Sequence, residues 1–174
     1  MIELINPYKD DKENEDVVHR IWNVMSLIRK DGGFAGKFDR FATSYYSYLI
    51  RFDNKDIGFI YATLERRYKN GLFIDMALLK EYRGKGIGKE VLEKFCLIHN
   101  DIYMFGEVLE DNKASNIISS KVGVEIAPGY YLFPKDKYEE FINSGELDIF
   151  LNSIKQVELS GRELIRALMN NRGN

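Results

Sequence analysis

Apolar residues switch between two spacings along the chain, and the switches mark its elements. Met1–Asn6 alternates apolar and polar positions and predicts a first strand, ended by Pro7. Val17, Val18, Ile21, Val24, Met25 and Ile28 recur at helical spacing. Acidic residues (Asp10, Asp11, Glu13, Glu15, Asp16) precede that stripe, and Arg29-Lys30 and Gly32-Gly33 follow it. A helix dipole favours this arrangement, so the acidic run reads as helix-end chemistry rather than a binding site. Two β-rich runs, Tyr45–Phe52 and Ile57–Leu64, flank Asp53-Asn54-Lys55-Asp56 and predict a hairpin. Tyr46, Tyr48, Ile50 and Phe52 share one face of the first run, as on a half-buried sheet. Arg66–Gly71 reads as a polar turn, and Leu72–Leu79 as a buried strand whose one charged side chain is Asp75. Ile87, Val91, Leu92, Phe95 and Ile98 then return to helical spacing. Ile102–Leu109 predicts a second core strand, and Asp111 a cap for a short helix. Val124 starts a further strand, and Gly129–Phe133 is the last.

Three helical patterns follow. Tyr138, Phe141 and Ile142 mark one; Leu147, Phe150, Leu151 and Ile154 mark the next. Ser160-Gly161-Arg162-Glu163 fits a capping box before an apolar stripe of Leu164, Ile165, Leu168 and Met169. This reading divides the chain into a domain at 1–133 and a helical extension at 134–174. The extension is expected to fold back on the domain; packing against a second copy, as a homodimer, stays open.

Composition narrows the function classes. At 174 residues and 45% hydrophobic, the chain suits one domain with an appendage. A net charge of -2 and a pI near 5.8 argue against nucleic acid as a partner. Cys96 is the single cysteine, so no internal disulfide forms, and its helical position suggests a buried structural thiol. His19, His99 and Cys96 have no metal-ligand spacing, so no metal is expected. No segment reads as a signal peptide or a membrane span, which makes the cytoplasm the default.

The distinctive stretch is Glu81-Tyr82-Arg83-Gly84-Lys85-Gly86-Ile87-Gly88-Lys89, between strand and helix. A helix N-terminus offers unpaired N–H groups and partial positive charge, and glycines let a ligand reach the backbone. Arg83, Lys85 and Lys89 add cations, so the stretch reads as a phosphate cradle. It fails as a P-loop, which needs glycine at Arg83 and Ser or Thr at Glu90, and as a dinucleotide fingerprint, which needs glycine at Lys89. It fits [RQ]-x-x-G-x-[GA] from Arg83 to Gly88. A second pattern, V-x-x-x-N-x-x-[AS] with a later glycine, falls on Val108, Asn112, Ser115 and Gly123. In these motifs the chain resembles the GNAT superfamily of acyl-CoA N-acyltransferases.

The resemblance implies an α/β fold with a mixed, mostly antiparallel central sheet and helices on both faces. It implies acetyl-CoA as co-substrate, held by Arg83, Gly84, Lys85, Gly86, Ile87, Gly88 and Lys89, with Asn112 and Ser115 on the pantetheine arm. It implies a backbone N–H near Leu78 and Leu79 to polarise the thioester carbonyl, with Gly106 to Val108 across a splay. The acceptor would be a primary amine, on a small molecule or on a protein N-terminus or lysine. By resemblance Phe34, Phe38 and Phe41 are candidates for acceptor selection, while a short helix packing on the sheet edge is the plainer reading of the same residues. Asp75, in apolar surroundings that would raise its pKa, is the first candidate for the base, level with a purely structural ion pair. Glu107 is the second. Ser119 stands where the family often carries the tyrosine that protonates the leaving thiolate. That proton is then left to water, to Tyr130 or Tyr131, or to no dedicated group. A CoA-binding or protein-interaction domain without efficient turnover remains the alternative.

Overall fold

Seven strands form one mixed sheet in the order β1-β4-β5-β6-β7-β9-β8 in a computed structural model that describes residues 1–9, 12–33, 45–65 and 68–155. The strands are β1 (Ile2–Ile5), β4 (Ser47–Phe52), β5 (Lys55–Glu65), β6 (Tyr68–Leu78), β7 (Tyr103–Glu107), β8 (Val124–Ala127) and β9 (Tyr130–Phe133). A separate two-stranded ribbon, β2 (Tyr8–Lys9) with β3 (Lys12–Glu13), follows Pro7, where sequence reading expected only a helix approach. Phe34, Phe38, Phe41, Arg66, Arg67 and the stripe at 164–169 lie outside the described residues.

All pairings in the main sheet are antiparallel except β6 with β7. A parallel pair needs a crossover, and helix α2 (Ile87–Ile98) supplies it. The β4–β5 hairpin turns on Asp53 and Asn54 at φ 46° and 63°, the left-handed pair that a two-residue turn requires.

Alternation along the strands serves two opposite layers. On one face Tyr48, Ile50, Ile60, Leu72 and Met104 pack against Val91, Leu92 and Phe95 of α2. Val122 of α3 (Lys113–Val122) joins that layer. On the other face Leu49, Phe59 and Tyr61 meet Val17, Ile21, Val24 and Met25 of α1 (Glu15–Lys30). Arg20 of α1 clasps Asp56 at 2.7 and 2.9 Å, and that guanidinium holds the carboxyl below its usual range.

The extension completes this second face. Phe141 of α4 (Tyr138–Asn143) and Phe150 of α5 (146–155) are fully buried against Phe73, Phe105 and Leu132. Tyr68 donates its hydroxyl to Glu146 and is buried beneath Phe150. This corrects the polar turn read at 66–71. Tyr68, Lys69 and Asn70 are strand, because the extension gives the tyrosine a place to be buried.

Candidate functional site

β6 and β7 part company partway along. Their parallel register runs from Gly71 opposite Tyr103 to Phe73 opposite Phe105. β6 continues to Leu78, paired to β5 throughout. Leu79 N–H donates to Ile57 O at 2.8 Å. Backbone groups alternate sides in an antiparallel ladder, so Ala77 and Asp75 also turn theirs toward β5. Met76 and Leu78 therefore aim their N–H groups at the gap beyond Phe73. Of the two backbone donors expected there, Leu78 faces the gap and Leu79 faces away, with Met76 in addition. Across the gap Val108 N–H is taken by Gly129 O at 2.8 Å, where the β8–β9 turn closes on β7.

A cavity of about 200 Å³ fills the splay. Ile74, Met76, Gly106 and Val108 line it from the strands, and Asn112, Ser115 and Ser119 from the third helix. Gly33, Leu92, Ile118 and Phe133 add to the wall, and sequence reading named none of them for the site. Gly33 carried a signal only as a helix-ending glycine. Nothing in the sequence marks Phe133.

The glycine loop opens beside this cavity. Gly86 is the N-cap of α2 at φ 80° and Gly84 sits at φ 73°, a region that L side chains rarely adopt. A Cβ at either position would meet nothing within 4 Å, so the backbone faces open space. Lys89 and Glu90 are the first to donate back, both to Gly86 O, which leaves Ile87 and Gly88 as first-turn N–H donors. Gly88 serves packing instead: its Cβ would lie 2.9 Å from Ile118 Cδ1.

The three cations each have a protein contact. Arg83 Nε donates to Leu78 O at 2.8 Å, Lys85 Nζ lies 5.7 Å from the Tyr82 ring centre, and Lys89 pairs with Glu93 at 2.7 Å. The last pair is 43% exposed on both sides and holds weakly.

Asn112, not Asp111, caps the third helix: its Oδ1 accepts from Ser115 N–H at 3.2 Å. Ser119 is buried at 5% exposure on the cavity wall.

Asp75 and Glu107 lie two residues beyond the Phe73–Phe105 pair, on the same face of the two parting strands. Both line the cavity and both are exposed. Among the described residues no apolar enclosure surrounds Asp75. Ala77 and Leu79 on one side of it pack under α1, Phe73 on the other packs under the extension, and Asp75 falls at the seam. Glu107 Oε1 accepts the Tyr130 hydroxyl at 2.9 Å. Tyr131 donates to Asn116 Oδ1 at 3.2 Å, and burial raises its pKa. Burial likewise pushes the Cys96 thiol up to about 12, away from reactive use. Among the described residues no cluster of three potential metal ligands occurs, and no helix is long and apolar enough to cross a membrane.

Residues 43–120 match the family model described as an acetyltransferase (GNAT) domain. No curated protein matches the chain. Solved structures share the fold at low identity. Diaminobutyrate acetyltransferase from Paenibacillus lautus, in complex with its substrate and coenzyme A, is 18% identical with a TM-score of 0.51, over 77% of this chain and 95% of that one. Naa50 from Arabidopsis thaliana, with a CoA-peptide bisubstrate analogue, is 17% identical with a TM-score of 0.54, over 77% and 97%. The ribosomal-protein-S18-alanine N-acetyltransferase of Escherichia coli is 15% identical with a TM-score of 0.56, over 77% and 94%. The glycine loop and the parted strands fall within or beside the matched segment, so residues 43–120 carry a GNAT acetyltransferase domain.

Proposed function

We propose that the protein transfers the acetyl group of acetyl-CoA to a primary amine. One observation carries this reading: a gap between parted strands has backbone donors on one wall and opens beside a glycine-lined helix N-terminus. The first-turn N–H groups of Ile87 and Gly88, with the open backbone at Gly84 and Gly86, suit a diphosphate. Asn112 and Ser115 border the path toward the gap, where the thiol end would lie. The N–H groups of Met76 and Leu78 would face the thioester oxygen. Donors aimed at a developing oxyanion are worth about 3 kcal/mol each.

The amine would enter on the face that carries Asp75 and Glu107. It must lose a proton to attack the carbonyl carbon, and a carboxylate beside the gap can accept that proton directly or through one water. The Tyr130 hydroxyl fixes one oxygen of Glu107 and so orients that carboxylate. As the C–N bond forms, the C–S bond breaks and the thiolate leaves. Ser119 borders its exit, and a serine hydroxyl is a weak acid, so water is the proton source this site favours.

Glu107→Gln is expected to lower kcat by about 10²-fold or more, while CoA affinity stays as it was. Asp75→Asn is the parallel variant, and whichever substitution costs more identifies the base. Thiol release from acetyl-CoA, measured across a panel of small amines, amino acids and peptides, tests both the reading and this assignment. A CoA-binding domain without turnover is the competing reading, and the serine at 119 favours it. Tight CoA binding with no thiol release across the panel would establish that reading instead.

A further inference from the structure

Arg83 opens the cofactor loop, yet its guanidinium points back into the protein. Nε donates to Leu78 O at 2.8 Å. The same group closes on Gly33: a Cβ there would sit 2.5 Å from Nη2 and 3.3 Å from Cζ. Gly33 lies just past α1 and helps close its C-terminal end, with its N–H bonded to Ile28 O at 3.0 Å and Gly32 N–H to Arg29 O at 2.9 Å. A cation at a helix C-terminus is favoured by the dipole. Gly33 also lines the cavity. One side chain thus touches the start of the loop, the residue whose N–H faces the gap, and a wall of the cavity on the α1 side.

We propose that Arg83 is a positioning residue, a latch that couples ligand binding at the glycine loop to the C-terminal end of α1, rather than a phosphate ligand. The proposal rests on the CoA reading above. To reach a phosphate the guanidinium would have to leave both the Leu78 carbonyl and the helix end. While it stays, tightening of the loop is transmitted to Asp31, Gly32 and Gly33. Glycine at 33 is what allows the close approach.

Hydrogen exchange of the full chain, with and without CoA, tests this alongside calorimetric titration of CoA. In the wild type, CoA should slow exchange of the amides at 31–33 by about threefold or more. Arg83→Met should still bind CoA but lose that slowing. Gly33→Ala, whose methyl displaces the guanidinium and leaves its charge in place, should lose it too. Arg83→Lys should not restore it, because an ammonium lacks the planar fork. Persistence of the slowing in Arg83→Met, or its absence in the wild type with CoA bound, overturns the latch. So does a loss of CoA affinity of about tenfold or more in Arg83→Met, which is the mark of a phosphate ligand. A wild type that binds no CoA overturns the cofactor reading itself, and the calorimetric arm identifies that case.

Discussion

His99 shows how one residue couples sequence to stability. It follows α2, and its Nε2 lies 3.0 Å from the Tyr48 hydroxyl, with the Phe95 ring centre at 4.9 Å. Burial holds its pKa below the usual 6.5. The unfolded chain therefore takes up this proton more readily than the folded one. Stability from the neutral ring is present above pH about 6.5 and is lost as pH falls toward the folded value. Urea unfolding should show a decline between about pH 7 and pH 5 that is shallower in His99→Gln. An identical pH dependence in the variant would remove His99 from this role. Asp75 teaches the converse lesson. Its apolar neighbours in sequence promised enclosure, but strand neighbours alternate faces, and its own face falls between two covering layers. Local composition could place Asp75 in the strand, and only the packing of distant helices decides what covers it.

At the scale of elements, periodicity alone located α1, α2 and the hairpin, because each carries its pattern in contiguous residues. The N-terminal end of β6 was not legible. Tyr68 is strand because residues some eighty positions later, Glu146 and Phe150, cover it, and a window of ten residues holds no trace of them. Helices α4 and α5 are thus part of the core. Phe150 meets Tyr68, Phe73, Phe105, Tyr130 and Phe141. Phe150→Ala should cost about 3–5 kcal/mol, a large share of a typical domain's stability, and appear as a lowered urea midpoint. Tyr68→Phe, which removes only the hydroxyl bond to Glu146, should cost about 1 kcal/mol. A midpoint for Phe150→Ala within error of the wild type would mean the extension is a dispensable appendage.

Across the whole molecule, the cavity opens where the parallel pair fails. β6 stays with β5 to its end while β7 turns away to β9, so the two central strands diverge. The glycine motif marked from spacing a helix start with open backbone, because backbone conformation there is set by residue type. The gap beside it was anticipated only through the family resemblance, and which N–H groups face it follows from the register. The account depends on the loop's backbone gripping the diphosphate of CoA. Calorimetric titration with CoA and with pantetheine, which keeps the thiol arm and lacks the diphosphate, tests this most directly. CoA should bind at least about tenfold more tightly, and Gly86→Val, strained at φ 80° and intruding on the open space, should abolish the difference. Equal affinities for the two ligands, or a Gly86→Val variant that still prefers CoA as strongly as the wild type, would contradict it.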